Sequence, residues 1–136
     1  MRRSPGKQAS RPSNSRTRSS RLGAETFGRR SETLAAWFLR LKGYRIVATR
    51  VKTPVGEIDL VARRFGTTAF IEVKARQHRS EEAVALEAVN TSRISRAAQY
   101  YVARHPALAE TPLRFDVIFL APGTWPRHVM NAFQGE

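Results

Sequence analysis

Asp59, Glu72 and Lys74 place charge in stretches that are otherwise apolar. The first stretch is Gly56-Glu57-Ile58-Asp59-Leu60-Val61-Ala62, and after a short polar break comes Ala69-Phe70-Ile71-Glu72-Val73-Lys74. Both read as strands of one hairpin. An unpaired carboxylate taken out of water costs several kcal/mol, roughly, even after relaxation. A strand that carries one among buried neighbours therefore needs a base, a network of donors or a metal ion beside it. An Asp followed by Glu-x-Lys on the next strand is the arrangement a Mg²⁺-dependent phosphodiesterase site requires.

Side chains alternate along a strand, so Glu72 and Lys74 share one face, as do Glu57 and Asp59. Pairing through the turn near Gly66 makes Asp59 and Glu72 neighbours, and two carboxylates that close repel each other unless a cation lies between them. Mg²⁺ is typically held by one or two carboxylates plus substrate phosphate. It lowers the pKa of a bound water and stabilises charge on phosphorus oxygens. Lys74, a point cation with several donors, suits a role beside that water or the phosphate. The competing reading is a cross-strand salt bridge on an exposed face, worth about 0–1 kcal/mol.

Glu32 is the candidate third acid, arriving from the first helix; a first-turn acid favoured by the helix dipole explains it as well. Glu57 has two readings, a metal ligand or a partner of Arg45, Arg50 or Lys52. Arg93, Arg96 and Arg104, with Tyr100, line one face of a later helix, either as a phosphate-facing stripe or as a solvated face. Asp116 lies on an apolar strand and reads as a satisfied structural acid. His78, His105 and His128 are scattered without metal-ligand spacing, so a zinc hydrolase has no support. Nucleotide-binding glycine loops and the serine-hydrolase elbow are absent from the sequence.

The elements that must position these residues follow from periodicity and breakers. Leu34, Trp37, Phe38 and Leu41 recur at helical spacing and predict a helix with one strong apolar stripe, ended by Gly43. Glu32 shares a second stripe with Ala35, Ala36 and Leu39, which predicts a half-buried edge position. Strands are expected over Tyr44–Val51, Glu57–Arg63, Thr68–Lys74 and Leu113–Leu120, with a short last one over Arg127–Asn131. Gln77–Glu82 reads as a polar loop. A second helix is expected from about Glu87 to Arg104, with Ile94, Ala97, Ala98, Tyr101 and Val102 facing the core. The order αβββαβ(β) means α+β, a mixed sheet with helices packed on it.

The chain has 136 residues, no Cys and a net charge of +13. That length fits one domain, expected over 24–136, behind a basic tail over 1–23 that is too poor in apolar residues to fold. Residues 1–31 hold nine Arg or Lys against one acid, Glu25, a surplus of +8; the remainder holds fifteen against ten. Such a surplus favours polyanions, nucleic acid first, through counterion release. Acidic membranes and acidic proteins are the competing partners. Without Cys there is no disulfide framework and no thiolate chemistry, which fits a cytoplasmic location. No apolar run approaches a membrane span, and no secretory h-region opens the chain. The Arg/Ser-rich start also has the composition of an organellar transit peptide, but lacks a clear amphipathic helix.

The string from Gly28 to Phe133 resembles the YraN family of small bacterial proteins, itself similar to Holliday-junction resolvases and other nucleases of the PD-(D/E)xK restriction-endonuclease-like fold. The resemblance is carried by Gly28-Arg-Arg-Ser-Glu32, Gly43-Tyr44-Arg-Ile, the two acidic strands through Ala75-Arg76, Arg114-Phe115-Asp116-Val117 and Asn131-Ala132-Phe133. It implies that Asp59 and Glu72-x-Lys74 fill the nuclease active-site positions and Glu32 the helical acid position. It also implies Mg²⁺ or Mn²⁺ as cofactor, held by Asp59, Glu72 and Glu32. Arg76, Arg93, Arg96 and Arg104 are the candidate nucleic-acid contacts. One departure is Asn90-Thr91-Ser92-Arg93, which looks shorter and less basic than the family's lead into its second helix, and no family role is carried onto it. The expectation is a metal-dependent nuclease acting on DNA, with a homodimer left open. Its rivals are a non-cleaving nucleic-acid-binding module on the same fold and a partner in a DNA-processing or envelope-linked complex.

Overall fold

A computed structural model describes residues 29–78, 81–87 and 89–135; the tail expected over 1–23 lies outside them. The elements are α1 (residues 29–41), β1 (Arg45–Thr53), β2 (Gly56–Arg64), β3 (Thr67–Ala75), α2 (Glu82–Glu87), α3 (Thr91–Arg104), a 3₁₀ turn (Pro106–Leu108), β4 (Leu113–Leu120) and β5 (Arg127–Phe133). The sheet has strand order β1-β2-β3-β4-β5. β3 and β4 are parallel and every other neighbouring pair is antiparallel, so the mixed α+β class holds. The parallel step needs a long crossover, and α2 with α3 supplies it.

Phe65 and Gly66, both at positive φ, make the tight turn between β2 and β3, as two-residue hairpins require. β3 is then covered on both faces. Ala69 and Ile71 pack with Leu60, Ala62 and α1, whereas Phe70 packs with Ile58, Val61 and α3. This is why Ala69, Phe70 and Ile71 are buried in succession, without the alternation of a one-sided strand.

Two expectations are corrected. α1 buries its smaller stripe: Ala35, Ala36 and Leu39 are at most 4% exposed, whereas Leu34, Trp37 and Leu41 are 60%, 60% and 78% exposed. Alanines let the helix lie close on the sheet, and only Phe38 of the larger stripe reaches that core. Spacing alone cannot rank two apolar stripes on one helix. The helix expected from about Glu87 starts later, at Thr91, and a separate short helix that was not expected, α2, precedes it. α2 ends at Glu87, and Asn90 begins α3 by accepting a hydrogen bond from Arg93 N at 3.1 Å. The expected core face of α3 is otherwise correct, with Ile94, Ala97, Ala98 and Tyr101 buried.

Asp116 on β4 anchors the side of the sheet away from β1. Arg114 donates from Nε to Oδ1 (2.8 Å) and from a terminal nitrogen to Oδ2 (2.9 Å). His128 Nε2 donates to Oδ2 at 2.7 Å and the backbone N–H of Asn131 to Oδ1 at 2.9 Å. Lys42 Nζ donates to His128 Nδ1 at 2.7 Å, which fixes the tautomer with the hydrogen on Nε2. Burial pushes the Asp116 pKa up, but His128, Arg114 and the Asn131 N–H outweigh it and hold the carboxyl below its usual value. The structural reading of Asp116 stands. Asp116→Ala strands Arg114 beside a buried void, which should cost about 3 kcal/mol or more, measured as a lowered urea midpoint. A midpoint unchanged from wild type would remove the anchor role.

Candidate functional site

Ile58 packs on the α3 side of the sheet, while Leu60, two residues on, packs on the α1 side. In a regular strand they would share a face, so β2 turns over at Asp59. The register Thr49↔Leu60 and Val51↔Ile58 puts Arg50 opposite Asp59. Arg50 has φ +50, a left-handed conformation that costs a non-glycine residue about 1 kcal/mol or more. The two adjacent strands are therefore distorted at the same point.

The distortion redirects both side chains. Arg50 Nε lies 2.8 Å from Glu32 Oε2 on α1, an ion pair that lowers the Glu32 pKa against the effect of burial. Asp59 Oδ2 accepts the backbone N–H of Val73 at 2.8 Å. The paired residues of β2 and β3 run from Arg64↔Thr67 to Leu60↔Ile71. Asp59 thus serves a β3 donor just where the ladder ends.

That position leaves Asp59 beside Glu72. Burial, then the charge of Glu72, pushes the Asp59 pKa up to about 7, against the pull of the Val73 N–H and Lys74. Asp59 thus keeps its proton close to neutrality beside the Glu72 carboxylate. Lys74 Nζ is 3.1 Å from Glu72 Oε1, with both side chains about one-fifth exposed. Glu32 is also raised, by burial first and then by the charge of Asp59. The structure thus brings Asp59, Glu72 and Lys74 together, with Glu32 coupled to Asp59 through charge while its carboxylate faces Arg50. Among the described residues no group of three or more Asp, Glu, His or Cys side chains gathers as a metal site. The donors at hand are the Asp59–Glu72 pair, a number and type that fit Mg²⁺ or Mn²⁺ completed by water and phosphate.

Glu72 and Lys74 line an open cleft of about 540 Å³, with Glu57 and Lys52 on the β1–β2 hairpin, Asn90 capping α3 and Arg93 on its first turn. Asp59 and Glu32 lie outside the lining, so of the acidic pair Glu72 is the one that meets the cleft. Gly56 lets the hairpin seat against α3: a Cβ there would come within 3.1 Å of both Cγ and O of Arg93. Of the four candidate arginines only Arg93 lines this cleft. Arg76 borders a separate apolar groove beside α1. Arg96 is exposed on α3, and Arg104 lies over the Tyr100 ring at 4.6 Å. Sequence reasoning missed Lys52, Gly56 and Asn90 as parts of the cleft. Asn90 had a readable signal, since Asn is a favoured N-cap residue.

The fold and this corner define a small α+β protein with an acidic pair and a lysine at one end of a mixed sheet. The chain belongs to the family described as uncharacterised protein family UPF0102, the YraN family, whose model matches residues 31–120. It is 50% identical over 113 residues to a UPF0102 protein of Parvibaculum lavamentivorans, covering 83% of this chain and 85% of the relative. A UPF0102 protein of Methylorubrum extorquens is 50% identical over 109 residues, covering 80% and 85%. One from Bradyrhizobium sp. is 46% identical over 132 residues, covering 96% and 94%. Among the described residues no helix is long and apolar enough to cross a membrane.

The raised Asp59 pKa has a sign that can be tested. Between the ordinary value of 3.8 and about 7, the folded protein keeps a proton that the unfolded chain has released. This contribution to stability is full below the lower value and is lost as pH rises through the upper one. In chelator, Asp59→Asn should flatten the fall in thermal midpoint across that window and melt above wild type at about pH 8. Parallel melting profiles for the two proteins would show that Asp59 carries no such strain.

Proposed function

We propose that this protein is a metal-dependent phosphodiesterase acting on DNA, with Asp59 and Glu72 as the pair that holds Mg²⁺ or Mn²⁺. The observation that carries this reading is the half-buried acidic pair with Lys74 at 3.1 Å from Glu72, of which Glu72 and Lys74 line a cleft that also presents Lys52 and Arg93. An Asp59 that retains its proton near neutrality beside a second carboxylate is a costly arrangement for a purely structural site. A divalent cation in place of that proton would satisfy both acids.

When bound, the ion supplies positive charge for phosphate oxygens and a more acidic water. The chain's own residues do the rest. The Val73 N–H fixes Asp59 Oδ2 and so sets the orientation of its carboxylate. Glu72 is the acid that meets the cleft. Lys74 Nζ holds Glu72 and has further N–H donors for a phosphate oxygen or a water. Arg93 and Lys52 attract the flanking backbone phosphates. Glu32 with Arg50 is a positioning pair: Arg50 is the residue opposite Asp59 at the shared distortion, and Glu32 holds its guanidinium against α1.

A second reading, a nucleic-acid-binding module without cleavage, draws on the engagement of Glu32 by Arg50, which leaves two acids rather than three at the corner. Labelled single-stranded, duplex, flap and four-way-junction DNA separates the two. With Mg²⁺ or Mn²⁺ the wild type should cut at least one substrate. Asp59→Ala, Glu72→Ala and Lys74→Ala should each lower the rate by a factor of about 100 or more, while still melting cooperatively. Salt-sensitive binding with no metal-dependent cleavage in any of them would leave only the binding module.

A further inference from the structure

α3 runs from the cleft, where Arg93 stands on its first turn, to a second concavity at its other end. This one has a volume of about 270 Å³ and is lined by Arg45, Arg63, Tyr101 and His105. Arg45 and Arg63 are direct cross-strand partners on β1 and β2. Like charges directly opposite one another in a sheet are destabilising, and among the described residues no carboxylate forms an ion pair with either. Beside them the His105 ring stacks on Tyr101, with centroids 4.1 Å apart and planes at 23°. His105 Nδ1 lies 2.8 Å from the Tyr101 carbonyl oxygen. A carbonyl only accepts, so Nδ1 carries the hydrogen and the ring is fixed in place. The exposed His105 thus presents an anchored aromatic ring next to two guanidinium groups that have no acid to neutralise them.

We propose that Arg45, Arg63 and the His105–Tyr101 stack form a second nucleic-acid subsite, where a backbone phosphate sits between the two arginines and its sugar or base lies against the imidazole. A phosphate is the ligand that relieves the Arg45–Arg63 repulsion. Guanidinium groups bind it with paired donors, and an aromatic face next to a basic groove accepts any base. From Arg93 to His105 the helix advances roughly 18 Å at about 1.5 Å per residue. That corresponds to about five steps of a nucleic-acid strand. The subsite therefore grips the strand beyond the reach of a very short oligonucleotide. The inference rests on reading the cleft as the place where the strand is held for cutting.

The experiment is fluorescence anisotropy in chelator, using the full chain and labelled oligothymidylates of about 4, 8 and 12 nucleotides. Wild type should bind the two longer strands clearly more tightly than the shortest. Arg45→Gln with Arg63→Gln should lose about ten-fold in affinity for the longest strand, lose the length step, and show a shallower salt dependence. Arg29→Gln with Arg40→Gln, on the opposite face of the sheet, should stay within about two-fold of wild type. Without DNA, Arg63→Gln should melt no lower than wild type, because it relieves the Arg45–Arg63 repulsion. A length step that survives in the Arg45/Arg63 variant would overturn the subsite and leave the proposed function standing. Absence of DNA binding by wild type at low salt would overturn both. A large loss of thermal stability in Arg63→Gln would also overturn the subsite, because it would mean that the arginine is structural.

Discussion

The site depends on a carboxylate placed where the protein does little to neutralise it. Asp59 receives one backbone N–H and shares its surroundings with a second acid, and its pKa rises to about 7. Two departures from regular structure put it there, the change of face in β2 and the left-handed Arg50 across from it. Neither helps the sheet, whose ladder between β2 and β3 stops at Leu60↔Ile71. Strain of this kind persists only where the surroundings hold it in place. Here the two-sided core around Leu60, Phe70 and Ile71, together with the Arg50–Glu32 pair to α1, does so.

Asp116 gives the internal comparison. It too is an aspartate on an apolar strand, with a side chain fully removed from solvent. It has two nitrogens of Arg114, His128 and a backbone N–H around it, and its pKa falls. The same residue type in the same sheet is thus satisfied at one end and left wanting at the other. Burial pushes the pKa of both upward, so it does not explain why they move in opposite directions. The difference is the supply of donors, four around Asp116 against a carboxylate neighbour beside Asp59. The neighbouring Lys74, which also lowers the Asp59 pKa, is paired with Glu72, and its pull does not offset burial and the Glu72 charge.

The strands and their pairing could be read from the sequence because apolar runs, the Phe65-Gly66 turn and strand alternation all agree there. The neighbourhood of Asp59 and Glu72 follows from that hairpin alone. The choice of buried face on α1 did not follow, because Leu34, Trp37 and Leu41 have the same periodicity as Ala35, Ala36 and Leu39, and close packing against the sheet selected the smaller set. The distortion at Arg50 and Asp59 carries no sequence mark, since neither position is a glycine or proline. The cleft depends on tertiary approach, Gly56 against Arg93, which local patterns do not encode. Arg76, Arg96 and Arg104 were grouped with Arg93 by charge, yet only the turn of α3 nearest the hairpin faces the cleft.

The most direct test of the acidic pair is calorimetric titration of Mn²⁺ into wild type and Asp59→Asn near neutral pH, in buffers of different ionisation enthalpy. If a cation takes the place of the proton on Asp59, wild type will bind one ion and release a substantial fraction of a proton to the buffer. Asp59→Asn will bind far more weakly and release almost none. Binding of equal strength in both proteins, or binding by wild type with no proton released, would contradict the account.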